Sequence, residues 1–151
     1  MTRRMDWNLL FQLGSQLAMV GWVILIFGPR RFAVLNRVPG LVIPLLLAVP
    51  YALTVATQFA SMDGGFGSLS EVRQLFADDA GLTAGWLHYL AFDLLIGAWL
   101  AVRMDEVQLS RVIQAPILLG VFLFGPLGWL IGMGTYAAKR SFKTIPAGQA
   151  A

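Results

Sequence analysis

The sequence predicts an all-α membrane protein: a four-helix transmembrane bundle with a short amphipathic surface helix between its second and third spans. Three observations predict it. The 151 residues are 58% hydrophobic and only 13% charged, against about 25% charged in soluble domains, and the mean hydropathy is +0.71. Apolar runs recur over residues 9–27, 41–60, 82–102 and 112–138, each near the ~20 residues that carry a helix across hydrocarbon. What lies between the runs is too short for a soluble domain, so residues 1–140 form one transmembrane domain, followed by a mobile C-terminal tail over 141–151.

The first run reads as a retained helix, because Arg30 and Arg31 follow it with no small-residue cleavage pattern. Residues 30–39, closing on Pro39 and Gly40, read as a helix-interrupting turn. Pro44 and Pro50 in the second run each remove a backbone donor and kink the helix, with Thr54 and Thr57 as nearby hydroxyls. After Gly64, Gly65 and Gly67, Ser68 and Glu71 fit a capping box, and Leu69, Val72, Leu75 and Phe76 share one helical face. That pattern predicts a surface helix over 68–79, lying across the terminal side of the bundle.

The third run carries the chain's single histidine, His88, together with Asp93. In the fourth, Gly120, Gly125, Gly128 and Gly132 permit close helix approach, with GxxxG spacing from Gly128 to Gly132, while Pro126 bends the helix near its middle. Four crossings place both termini on one side. Lys and Arg divide six against five between the two faces, so the cluster of Lys139, Arg140 and Lys143 alone favours cytoplasmic termini. The first helix begins almost at once, with no Ser-rich or Arg-rich import extension, which predicts a bacterial inner-membrane protein.

The absence of cysteine excludes disulfides, thiolate metal sites and iron–sulfur ligation. A net charge of +3 without basic–aromatic interleaving reads as membrane-flanking charge, with no nucleic-acid partner. One histidine excludes a bis-histidine haem. Zinc on His88, Asp93 and Glu71 lacks a metal-site spacing, and Ser68 has neither a nucleophile elbow nor a phosphate loop around it. No metal or cofactor is therefore expected.

An acid in an apolar span costs roughly 2.5–3.5 kcal/mol on insertion scales, so it faces a protein interior, a water pocket or a ligand. Gly85, Tyr89 and Asp93 recur every four residues and line up, with His88 on the adjoining face. The topology gathers Gln12, Gln16, Thr57, Gln58 and His88 into one leaflet, which predicts a polar pocket opening there. The plainer reading stands beside it: His88 and Asp93 as interhelical hydrogen-bonding groups, Glu71 as a cap, and Trp86 and Trp99 as interface anchors.

The stretch GGFGSLSEVRQLFADDAGLTAGWLHYLAFDLLIGAW, with a late FGPLG, resembles the abscisic-acid-deficient-four-like membrane proteins between about Gly64 and Gly132. Plant members are linked to conversion of the epoxide violaxanthin into the allenic neoxanthin. The resemblance implies a carotenoid-modifying enzyme, a cofactor-independent isomerase working by proton transfer. It implies Asp93 as acid, His88 as base or relay, Tyr89 as orienting donor and Glu71 assisting from the surface helix. A polyene would lie along Trp86, Phe92, Trp99 and Phe124, with its polar end near Gln12 and Gln16. The partners implied are a carotenoid, the bilayer, and a homo-oligomer or larger membrane complex. Two non-enzymatic readings compete: a pigment-binding subunit and an assembly helper.

Overall fold

The computed structural model describes residues 5–144, and among them every regular element is a helix. The first, α1 (Trp7–Phe27), starts where the Asp6 carboxylate accepts from the Leu9 amide at 3.0 Å and stops at Gly28. After a short turn, α2 (Ala33–Arg37) runs through a π-helical turn over Val38–Val42 into α3 (Ile43–Gln58). The expected break at Pro39 is thus a continuous span with one widened turn. A π-turn bonds each amide one residue further back and leaves room for a proline ring, as the Ile43 amide donates to the Val38 carbonyl here. Pro50 sits inside α3, and the Thr54 hydroxyl donates to its carbonyl at 2.8 Å.

The surface helix α4 (Leu69–Leu75) is present but shorter than expected. Ser68 caps it by accepting from the Glu71 amide at 3.2 Å, while Glu71 Oε2 reaches back to the Gly67 amide at 2.9 Å. It ends early because Asp78 starts the next helix, accepting from the Ala80 and Gly81 amides at 2.8 and 3.1 Å. That helix, α5 (Asp79–Glu106), is the mast of the molecule, and α1, α3, α6 (Arg111–Phe124) and α7 (Pro126–Thr144) all pack on it.

Side-chain pairs fix the directions. α1 runs parallel to α5: Trp86 meets Phe11 and Ser15, and the Trp22 ring fills the space left beside Gly97. α3 runs antiparallel, bringing Tyr51 to His88 and Gly40 to Ala98. The core is the seam between them, with Leu25, Leu47, Leu87, Leu94 and Leu100 fully buried.

Among the described residues three helical stretches are long and apolar enough to cross a membrane: Trp7–Phe27, Val34–Ser61 and Asp79–Glu106. The fourth run corrects the expectation. Residues 112–138 are two helices folded back on each other at Gly125. With 14 residues, α6 rises only about 21 Å, short of the ~30 Å hydrocarbon thickness. Gly125 adopts φ +46, ψ −101, a backbone state essentially restricted to glycine. Pro126 then opens α7, where its missing N–H is no loss. A Cβ on Gly128 would overlap the backbone of Gly120 and Val121, so the two helices touch main chain to main chain. Gly132 lies against Ile117 and Leu100, which makes α7 antiparallel to α6 and parallel to α5.

The two ends of the described chain therefore lie at opposite ends of the bundle. Trp7 stands at one end of the bundle, and α7 returns to the end where α6 began. Of the expected tail, residues 141–144 belong to α7 and the remainder lies outside the described residues.

The cysteine-free sequence makes this directly measurable. Met5→Cys and Ser141→Cys, introduced singly, should label with a membrane-impermeant maleimide from opposite faces of sealed vesicles; labelling from one face would mean a fully spanning fourth helix.

Candidate functional site

A cavity of about 470 Å³ opens at the α1 N-terminal end of the bundle, between α3, α4 and the first turns of α5. The C-terminal half of α3 contributes Tyr51 and Val55, the turn just after it Phe59, and the covering segment Phe66, Leu75 and Phe76. Gly81, Ala84 and Gly85 keep the α5 wall flat, since a Cβ on Gly85 would run into the Phe76 ring. The capping box thus has a positional consequence: by fixing where α4 starts, Ser68 and Glu71 set Leu75 and Phe76 over the opening.

His88 brings the one imidazole to the cavity lining. Its ring packs between Phe92, with centroids 4.6 Å apart, and Tyr51, at 5.4 Å. Neither imidazole nitrogen has a hydrogen-bond partner among the described residues. The ring is held by aromatic packing alone.

Asp93 lies elsewhere. Five residues along a helix turn the side chain about 140° from His88, and the Asp93 carboxyl is buried against the α6–α7 hairpin tip. A Cβ on Gly125 would come within 3.2 Å of Asp93 Oδ1, and Oδ2 has no hydrogen-bond partner. Tyr89 shares that face: its hydroxyl stands beside Asp93 and donates to the Phe122 carbonyl at 3.4 Å. Its ring stacks on Trp86 at 5.3 Å, Trp86 stacks on Phe11 at 5.2 Å, and the Trp86 indole donates to Ser15 Oγ at 2.8 Å. The result is an aromatic column between α1 and α5, ending on a carboxyl beneath the hairpin.

The residues predicted from sequence therefore divide into separate groups. His88 and Phe92 belong to the cavity face, and Tyr89, Asp93 and Trp86 to the hairpin face. Glu71 is exposed and engaged in capping. Gln12 and Gln16 project from α1 outside the cavity wall. Trp99 carries the Arg103 guanidinium over its ring at 5.3 Å, and Phe124 is exposed beside the hairpin tip. Among the described residues no cluster of His, Asp and Glu converges to hold a metal ion. The sequence reading missed Tyr51, Phe59, Phe66 and Phe76. Aromatic residues at both ends of the covering segment were the available signal.

A helical membrane protein with an imidazole on the wall of a largely apolar cavity and a surface helix over its opening is the class these features define. The chain belongs to the ABA DEFICIENT 4-like family, whose model matches residues 9–131. Neither a curated protein nor a solved structure matches the chain.

The hairpin face makes a stability prediction. Gly125→Val should destabilise the purified protein by about 1–3 kcal/mol, since a branched side chain at this φ is strained and meets Asp93. Asp93→Leu should unfold at the wild-type temperature or above it, because an unpartnered buried carboxyl oxygen is costly. Thermal unfolding in detergent measures both.

Proposed function

We propose that this protein acts on a carotenoid or similar long polyene, as a redox-neutral isomerase with His88 as the proton-transfer group. Family membership supports the substrate class, and the observation that carries the reading is an unpartnered imidazole facing an otherwise apolar cavity at the membrane. A volume near 470 Å³ suits one cyclic end of a carotenoid rather than the whole chain, so the polyene would leave past Phe92 along the lipid-facing side of α5. Tyr51 lies on the same wall, its ring 5.4 Å from the imidazole.

For an epoxide-ended polyene the chemistry balances without a cofactor. The imidazole takes a vinylic proton, and the electron pair of that C–H bond becomes a new C=C bond to the neighbouring ring carbon. The bond from that carbon to oxygen breaks, and the resulting alkoxide takes a proton from the Tyr51 phenol, which recovers one from the imidazolium. Asp93 and Tyr89 support the hairpin in this reading.

A solitary imidazole with no acid beside it also suits a pigment-holding subunit, and such a protein would retain a carotenoid without changing it. Assembly as a homo-oligomer or within a larger complex is compatible with either function. The fold-back bears on the orientation: among the described residues the α6-entry end carries Arg30, Arg31, Arg37, Arg103, Arg111, Lys139, Arg140 and Lys143, while Arg73 flanks the other. This basic bias supports reading the α6-entry end as cytoplasmic in a bacterial inner membrane, with the cavity in the outer leaflet.

Expression in carotenoid-producing cells tests the function. At equal membrane abundance, wild type should change the pigment isomers and His88→Ala should reduce the new product about 100-fold or more. Tyr51→Phe should fall between, and Asp93→Asn should stay within a few-fold of wild type. Pigment retained with an unchanged isomer distribution would decide for the binding subunit.

A further inference from the structure

At the end of the bundle remote from the cavity, α1 gives way to Gly28 and Pro29, and α6 begins beside them at Arg111. Two guanidinium groups meet there. Arg111 Nη2 donates to the Ile26 carbonyl at 2.7 Å, with longer contacts to Leu25 and Gly28 at 3.3 and 3.4 Å. Arg30 Nη2 donates to the Leu25 carbonyl at 3.2 Å. Capping the last turn of α1 accounts for one nitrogen of each arginine.

The remainder is unexplained by capping. Arg30 Nε and Arg111 Nη1 are buried without a hydrogen-bond partner. Asp105 Oδ2 stands 3.7 Å from Arg30 Nε, while Oδ1 accepts from Gln114 Nε2 at 2.7 Å. Among the described residues no carboxylate pairs with Arg111. Burial, and then the neighbouring Arg111 charge, pull the Arg30 guanidinium down to about 10 against the opposing influence of Asp105. Both arginines are charged at neutral pH, and one shared carboxylate leaves a positive surplus in a partly dry site.

The surplus borders an open pocket of about 490 Å³, walled by Ile26, Phe27, Pro29 and Val112 as well as the two arginines. A second groove, about 360 Å³ and wholly apolar, continues from it between α1 and α6 toward Phe122. The two share Ile26, Phe27 and Ala115 as wall residues. The first-turn amides of α6, which no side chain caps, adjoin the charged end.

We propose that this is a binding site for an anionic phospholipid, its phosphodiester on Arg30 and Arg111 and one acyl chain in the α1–α6 groove. A guanidinium pair matches phosphate in charge and hydrogen-bonding geometry. The apolar groove would go unused by free phosphate, and a zwitterionic headgroup would not neutralise the surplus. The end of a transmembrane helix is also the depth at which lipid phosphates lie.

Delipidated full-length protein in detergent should be titrated with phosphatidylglycerol, with phosphatidylcholine of the same acyl chains, and with inorganic phosphate. Native mass spectrometry reads binding and thermal unfolding reads stabilisation. Phosphatidylglycerol should bind roughly tenfold tighter or more than phosphatidylcholine and raise the unfolding temperature. Inorganic phosphate should do neither. Arg30→Gln should abolish the preference by removing charge. Ala115→Phe should abolish it independently by filling the groove with both arginines intact, so a folding defect in the first variant leaves the second decisive. Equal binding of the two lipids, a preference that survives Ala115→Phe, or stabilisation by phosphate alone would overturn the assignment.

Discussion

The fold depends on one close approach, the passage of Gly128 in α7 across the backbone of Gly120 and Val121 in α6. Inside a bilayer the lipid tails are as apolar as any leucine, so helices gain little from hydrophobic burial against each other and associate through close packing. A hairpin whose arms touch main chain to main chain obtains that packing within a single short run. Its tip, at Gly125, can therefore stop within the bundle against Asp93 instead of continuing to the far side. This sends α7 back along α5 and reverses the side on which the chain's last basic residues emerge.

The hairpin also decides what α5 can do. One face of that helix is taken up by α1 and the hairpin, and Tyr89, Asp93 and Trp86 are spent on holding them. The other face, where Tyr51 and Phe92 flank His88, meets α3 and the underside of α4. Two ionisable residues five positions apart thus occupy different environments, a packed carboxyl and an accessible imidazole. Proximity in sequence suggested one shared pocket; the helical repeat of 3.6 residues separates them.

Much of this was legible in the sequence, for identifiable reasons. Hydropathy marked the three full spans because each is long, uninterrupted and bounded by polar residues. The capping box gave the start of α4 correctly, since the Ser68 and Glu71 interactions are local and require no tertiary partner. The end of α4 was misjudged because Asp78 could extend one helix or cap the next, and only packing of α5 selects the cap. Averaged over a window, Gly125 and Pro126 vanish between apolar neighbours, so the fourth run read as one helix. Yet glycine after one helix and proline at the start of the next is the ordinary signature of a stop and a restart. Pro39 was misread in the opposite sense, because a π-turn absorbs it. The cavity walls were the least legible, for Tyr51, Phe66 and Phe76 meet only after three separate segments have packed.

A polarity along the membrane normal follows from these pieces. The cavity end has one imidazole amid aromatic and aliphatic walls, whereas the opposite end concentrates arginines that their carboxylate neighbours do not fully neutralise. An uncharged, mostly hydrocarbon ligand gains nothing from the arginines and fits the first end; a phosphate-bearing amphiphile is repelled by nothing at the second and has no counter-charge at the first. On the two proposals, the ends would select different lipidic molecules from the same bilayer. The element joining them is α5, whose Leu87 and Leu94 pack against Gly14 and Gly21 of α1 while Leu100 packs against Gly132 of α7. With α5 packed on both sides in this way, each end keeps its own shape, and on the two proposals a headgroup would anchor the α1–α6 corner while a guest exchanged beneath α4.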